Sequence, residues 1–374
     1  MTATLVGLED AINSALAIRP IEREAHFFRN FPHFVRDEDG LLLPALKGSA
    51  EQIEDPIGSM TFSWSAVAVT PPLQRLQIVQ KALLKQLVIR VAGSYDQSVG
   101  AETQATEGNP VLWDEIRLNV DGRTIRPRHG AVLYEMNKIV EGGAPPKTDP
   151  STGVAASKAF SCVLTYDMGF LDAEEQAVLE KSYLDLSQYA NVFIEMIPGP
   201  FNRYVSGNTQ ANMTATVSVT GLFVIGPRRI PQAHHEMLLT NVIDMNVTAN
   251  DRSFPLTRQK LIMRGLLLRI GNLTGTPVIT ANTPLTNLGV KGKLVKAGSI
   301  EPKVKQSKDY YTSQVGGGRN NVTLTAGHLW LDFAHNRKLS SMLIGDNLAD
   351  LNLILDTAAL ANYTMQVRQC VLTR

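Results

Sequence analysis

His234 and His235 stand together ahead of Glu236, and a histidine pair beside a carboxylate is a first place to look for a metal. The His-Glu-x-x-His helix that holds zinc needs its second histidine one turn after the first, so that both rings leave the same face. "HHEM" lacks that second ring, and on a strand adjacent histidines leave opposite faces. A second chemistry is glycoside hydrolysis, for which a β-sandwich sets two carboxylates across a cleft. Glu115 in "WDEIRLNV" and Glu195 in "NVFIEMI" are strand-borne acids, and Glu195 shares a side with Phe193 and Ile197. Such a cleft is lined with aromatic rings that stack on sugars. This chain is only 6% aromatic, and Trp64, Trp113 and Trp330 come from distant segments. The favoured reading is structural: an acid at a strand edge or paired with an arginine such as Arg117. Phosphate cradles fail as well, because "GVKGK" lacks the spacing and the Ser/Thr of a P-loop and "VGGGRNN" opens no helix after a strand. No Gly-x-Ser-x-Gly elbow occurs. The expected catalytic, cofactor-binding and metal-ligating residues are therefore none, and a β-sandwich glycoside hydrolase or carbohydrate-binding module stands as the alternative.

A chain of 374 residues exceeds the size at which one core stops growing, so two domains or a self-associating sandwich is expected. Its 36 basic and 35 acidic side chains leave a charge of +1, too little field to draw it to a phosphate backbone or an anionic membrane. Cys162 and Cys370 lie among apolar neighbours on strand-like segments, where a thiol behaves as a small hydrophobe. The N-terminus has neither a basic n-region nor an apolar run long enough for a signal or a membrane span, so the chain is expected to be used without export. Without export, Asn212, Asn246, Asn272, Asn321 and Asn362, each followed by x-Thr, read as strand-edge residues rather than glycan sites.

These side chains must be positioned by strands. Leu5, Leu8, Ile12 and Leu16 recur at helical spacing, predicting a short amphipathic helix over 3–17 that docks on something, followed by an arm rich in Phe, His and Arg. From about residue 58 period-two segments dominate: "MTFSWSAVAV", "LLKQLVIRVAG", "WDEIRLNVDG", "FSCVLTYDMG", "NVFIEMI" and "ATVSVTGLFVIG". The break "GPRRIPQ" at 226–232 carries two prolines that neither a helix nor a central strand tolerates. A second set follows: "MLLTNVIDMNVTA", "LIMRGLLLRIG", "KGKLVKAG", "NVTLTAGHLWLDF", "LNLILD" and "YTMQVRQCVLT". Helices are predicted over "HGAVLYEMNKIV" and "LDAEEQAVLEKSYL", and long loops at 141–158 and around 271–320.

The two sets match in order. "KQLVIRVAG" lies over "RGLLLRIGN", pairing Lys85 with Arg264, Leu87 with Leu266, Arg90 with Arg269 and Val91 with Ile270. "VLTYD" then lies over "LWLD", "NVFIEM" over "LNLILD", and "ATVSVTGLFVIG" over "YTMQVRQCVLT". Four matches in sequence predict a duplicated all-β module. The expected division is an N-terminal helix and arm at 1–57, a first module at 58–226, a linker at 227–231 and a second module at 232–374.

With this organisation, carried most directly by "KALLKQLVIRVAGSYDQ" and "LADLNLILDTAALANYTMQVRQCVLT", the chain resembles the double jelly-roll major capsid proteins of tailless icosahedral bacteriophages with an internal membrane. These are the tectivirus-like group, related in fold to the adenovirus hexon. The resemblance implies an all-β fold of two tandem eight-stranded jelly rolls with a short N-terminal helical arm. It further implies a non-enzymatic virion protein without cofactors, assembled in the host cytoplasm. Homotrimers would form pseudo-hexagonal capsomers that tile an icosahedral shell with neighbouring capsomers, penton and minor capsid proteins. Leu5, Leu8, Ile12 and Leu16 would face the internal viral membrane or a neighbouring capsomer, and no direct sequence-specific nucleic-acid binding is expected. One departure is the lysine run Lys291, Lys293, Lys296, Lys303, Lys305 and Lys308, for which the resemblance supplies no partner.

Overall fold

The structure, a computed structural model, describes residues 34–36, 42–44, 51–65, 68–97, 102–151, 155–168, 183–207, 212–225, 235–258, 261–296, 298–317, 322–333 and 342–373. The helix expected to carry Leu5, Leu8, Ile12 and Leu16, the break at 226–232 and most of the helix read over 171–184 lie outside these residues. The chain divides into two compact units, residues 1–53 with 224–228 and residues 54–223 with 229–374. In the first, Phe34–Arg36 pairs antiparallel with Leu42–Pro44.

The second unit is built on two rolls of eight main strands each. The first roll has β1 (Glu51–Trp64), β2 (Gln74–Gln77), β3 (Leu83–Gln97), β4 (Trp113–Val120), β5 (Arg123–Arg128), helix α1 (Gly130–Glu141), β6 (Ala155–Asp167), β7 (Val192–Pro198) and β8 (Met213–Ile225). The second has β9 (His235–Asp244), β10 (Ala249–Pro255), β11 (Leu261–Asn272), β12 (Leu285–Leu294), β13 (Ser299–Ser307), helix α2 (Lys308–Gly317), β14 (His328–Asp332), β15 (Leu348–Thr357) and β16 (Thr364–Thr373). Each roll pairs two sheets. Their orders are β1-β8-β3-β6 with β2-β7-β4-β5, and β9-β16-β11 with β14 against β11, facing β10-β15-β12-β13. Apart from the hairpins β4-β5 and β12-β13, consecutive main strands alternate between sheets. The last two, β15 and β16, accordingly belong to opposite sheets and do not pair.

The duplication extends to the register. Leu118 faces Ile194 and Ile125, as Val290 faces Leu353 and Lys303. Ile116 faces Met196 and Arg128, as Leu288 faces Leu355 and Gln306. Ile89 faces Leu164 as Leu268 faces Leu329. In one segment the sequence overlay slips. "NVFIEM" over "LNLILD" sets buried Val192 on Asn352, whereas the ladders set Val192 on Leu351, because a one-residue shift in a strand exchanges its faces.

Both cores lie between the paired sheets. Roll 1 buries an aromatic cluster: Phe62 packs edge-on to Trp113 at 5.1 Å between ring centres, with Trp64 beside both, and the Trp64 indole N–H donates to the Gly199 carbonyl at 2.8 Å. Trp64 and Trp113, far apart in sequence, thus fill one core rather than a cleft. Roll 2 is aliphatic, built on Leu266, Leu268, Leu288, Leu353, Leu355, Met365 and Val367. The expectation of mostly loop around 271–320 is corrected: β12, β13 and α2 occupy much of it. Several of its lysines have partners in the chain itself. Lys305 bridges Asp251 (2.8 Å) and Asp356 (2.6 Å), Lys291 lies 3.4 Å from Glu301, and Lys308 donates to the Asn282 carbonyl, while Lys303 is buried.

Candidate functional site: the seam between the rolls

Glu195 and Glu115 do not face each other across a cleft. The Arg117 guanidinium lies between them, 2.7 Å from Glu195 and 2.9 Å from Glu115, and the Asn119 amide donates to Glu195 at 3.0 Å. The strand-edge, arginine-paired reading of these acids is what the structure contains. His235 begins β9 and Glu236 follows it; His234 lies outside the described residues. Among the described residues no cluster of three His, Cys, Asp or Glu is placed to hold a metal ion. Cys162 and Cys370 are buried thiols, and burial raises the Cys162 thiol far above its ordinary value.

The densest polar constellation joins the two rolls, and α1 organises much of it. The ring of His129 caps the helix by accepting from the Ala131 N–H at 3.2 Å, and Gly142, at φ 72°, ends it with its N–H on the Lys138 carbonyl. Asn137 fastens the helix to β6, donating to the Thr165 carbonyl (2.7 Å) and accepting from the Thr165 N–H (2.8 Å). One side of the helix, with Leu133 and Tyr134, enters the core of roll 1. The other, with Val132, Met136 and Ile139, packs on Leu238, Leu267, Leu324, Trp330 and Cys370 of roll 2. Gly265 leaves room there for the Trp330 indole: a Cβ would come within 2.5 Å of it. The outer face of the roll 2 sheet is therefore covered, which is why β11 is buried along both faces.

Two ionic clusters lock this apolar contact. In one, Glu135 pairs with Lys138 at 2.8 Å and accepts from the Thr325 N–H (2.9 Å) and hydroxyl (2.5 Å) across the seam. In the other, Glu107, from the loop ahead of β4, receives Arg269 of β11 in a two-pronged pair, Nε to Oε1 at 2.7 Å and Nη2 to Oε2. His328 Nε2 lies 3.1 Å from the same carboxylate. All three side chains are at most 4% exposed. Burial pushes the Glu107 carboxyl up, but Arg269 and then His328 outweigh it and hold it well below the usual carboxylate range. Burial, reinforced by the charge of Arg269, drives His129 well below its ordinary value. Burial and Arg269 likewise lower Arg368 to about 9. Backbone bonds continue the seam: Thr106 N–H to the Val278 carbonyl at 3.2 Å, and Val278 N–H to the Arg203 carbonyl at 3.4 Å, with the Val278 side chain in the core of roll 1. Sequence reading paired Arg90 with Arg269 but did not find Glu107, His129, Glu135 or His328, because no local spacing links a loop of one roll to a strand of the other.

This arrangement holds two copies of one module in a fixed relation. No family model matches the sequence, and no curated relative matches it. Solved structures do match in fold. The crystal structure of the STIV major capsid protein aligns with 86% of this chain and 97% of its own, at TM-score 0.65 and 14% identity. The major capsid protein P2 from Bacteriophage PM2 aligns with 84% of this chain and 97% of its own, at TM-score 0.52 and 8% identity. The Faustovirus major capsid protein aligns with 100% of this chain and 98% of its own, at TM-score 0.54 and 9% identity. Two register-matched rolls, a helix of the first lodged on the sheet of the second and these likenesses together give the chain the double jelly-roll fold of viral major capsid proteins.

Proposed function

We propose that the protein is a viral major capsid protein, a structural rather than catalytic component of a virion shell. The observation that carries this reading is the fused pair of register-equivalent rolls, matched over nearly the whole length of solved major capsid proteins. Two like modules locked by a buried seam form a rigid tile. Three chains supply six such rolls, approximating a six-fold outline from a three-fold ring, and a closed ring leaves no exposed contact surface to propagate. In this reading the homotrimer is the capsomer, and its partners are neighbouring capsomers, penton and minor capsid proteins, with assembly in the host cytoplasm. The chain divides functionally as 1–57 (helix and arm), 58–226 (first roll), 227–231 (linker) and 232–374 (second roll). Leu5, Leu8, Ile12 and Leu16 would contact an internal membrane or an adjoining capsomer.

Light scattering on the purified protein tests the reading. The expected mass is three chains, held on dilution to the micromolar range. A mass of one chain at concentrations well above micromolar would overturn it.

A further inference from the structure

We infer that the seam binds a small inorganic oxyanion of the phosphate or sulfate class, with Arg368 of β16 as its principal ligand and Arg269 of β11 as the second. The site goes beyond the capsomer reading and does not depend on it.

Arg368 lies opposite Leu267 in the ladder and two residues before Cys370, on the sheet face that α1 covers. It is 7% exposed, and among the described residues its Nη1 has no hydrogen-bond partner. A buried guanidinium donor without an acceptor is costly, in charge as well as in hydrogen bonding. The carboxylate whose charge favours Arg368 is Glu107, and Arg269 and His328 already occupy it. After burial itself, Arg269 and Arg128 work against the charge of Arg368. This corner of the seam therefore holds more positive charge than its own carboxylates offset.

Arg269 supplies a second donor. It faces Gln366 across the ladder and so stands diagonal to Arg368 on one face, a backbone separation of about 7–8 Å. Its Nε and Nη2 hold Glu107, whereas Nη1 reaches only the Gln366 Oε1 at 3.5 Å, too long for a strong bond. Arg128, also buried, closes β5 just ahead of the His129 cap and adds a third charge.

The roll itself does not require a cation at this place. In the overlay of "ATVSVTGLFVIG" on "YTMQVRQCVLT", buried Val217 and Val219 fall on buried Met365 and Val367, and Thr220 falls on Arg368. Roll 1 closes with a neutral hydroxyl where roll 2 carries a guanidinium.

Burial and access decide the class of ligand. Three buried arginines leave no surface along which a nucleic acid or a lipid could lay its chain. A small ion has a way in, because β16 is one strand from the sheet edge and Thr240, paired with Arg368 in edge strand β9, is exposed. Guanidinium forks match the oxygens of a tetrahedral oxyanion and give it charge-assisted hydrogen bonds.

The full-length protein, dialysed free of phosphate and sulfate, is titrated with inorganic phosphate by calorimetry, with sodium chloride holding the ionic strength fixed. One site per chain with a dissociation constant of about 1 mM or tighter is expected, and sulfate is expected to compete. Arg368→Met is expected to weaken binding by about tenfold or more. Thr240→Glu, which sets a carboxylate on the exposed rim and leaves the buried groups in place, is expected to do the same. Arg90→Gln, at the exposed roll 1 counterpart of Arg269, is expected to leave binding unchanged. The unfolding temperature of the parent should rise with phosphate over the same range, and that of Thr240→Glu should not. Absence of saturable binding to the parent, unchanged binding in Thr240→Glu, or loss of binding in Arg90→Gln overturns the inference. None of these outcomes touches the mass of the parent oligomer, which tests the capsomer reading separately.

Discussion

Replacing Glu107 by Gln tests whether the ionic cluster holds the rolls together. The substitution keeps size and one acceptor but removes the charge facing Arg269, and both side chains are at most 4% exposed. Two unit charges about 4 Å apart at an effective dielectric of about 20 attract by about 4 kcal/mol. Loss of one partner of a buried pair typically costs about 3–5 kcal/mol, because the other charge stays desolvated and unpaired. His328 loses its neighbour as well. A destabilisation of about 3–5 kcal/mol is therefore expected, read as a lower urea midpoint at neutral pH. The second half of the experiment is the double variant Glu107→Gln with Arg269→Met, in which no charge is stranded. It is expected to recover at least half of the loss, since an apolar replacement of a buried pair is often near neutral. A cost below about 1 kcal/mol for Glu107→Gln, or a double variant as unstable as the two single variants added together, would refute the account of the seam.

The seam should also respond to acid, with a sign set by its groups. His129 has a folded-state pKa below its ordinary 6.5, so the unfolded chain takes up a proton first and stability falls as pH drops below about 6.5; Glu107, below its ordinary 4.5, adds a second loss only under pH 4.5. His129→Asn, which retains a capping side chain, is expected to abolish the upper loss and keep the lower one in urea midpoints taken from pH 7 to 4; an unchanged profile would count against the assignment. Deletion of residues 1–18 is expected to leave trimers of normal thermal stability that no longer form shells under the electron microscope, and normal shells from the truncated protein would refute the role given to Leu5, Leu8, Ile12 and Leu16.

Strands that face a core on one side were legible. In β4, β7, β8 and β15 the period of two runs through Ile116, Leu118, Ile194, Met196, Val217, Val219, Leu353 and Leu355, all buried. Helix α1 was legible from Val132, Leu133 and Met136, although nothing local said that its two apolar sides serve different rolls. The strands that escaped were β2, β5, β10 and β13, the outer members of the two four-stranded sheets. They carry Pro127, Pro255 and Pro302 and charges such as Arg75, Arg123 and Arg252, the composition of an edge strand guarded against further pairing. Such a strand takes its conformation from the ladder of its inner neighbour rather than from alternation of its own.

The sequence by itself determined the class of the fold, the number of modules and most of their order, because burial of one strand face writes a period of two into the chain and duplication repeats it. The tertiary structure alone decided which of two like faces is buried. Arg90 and Arg269 occupy the same place in the two rolls and share a local context, yet one meets water and the other a carboxylate from a loop more than a hundred residues away. Pairing of that kind is a matter of distance in space, and a chain encodes it only through the fold that brings the partners together.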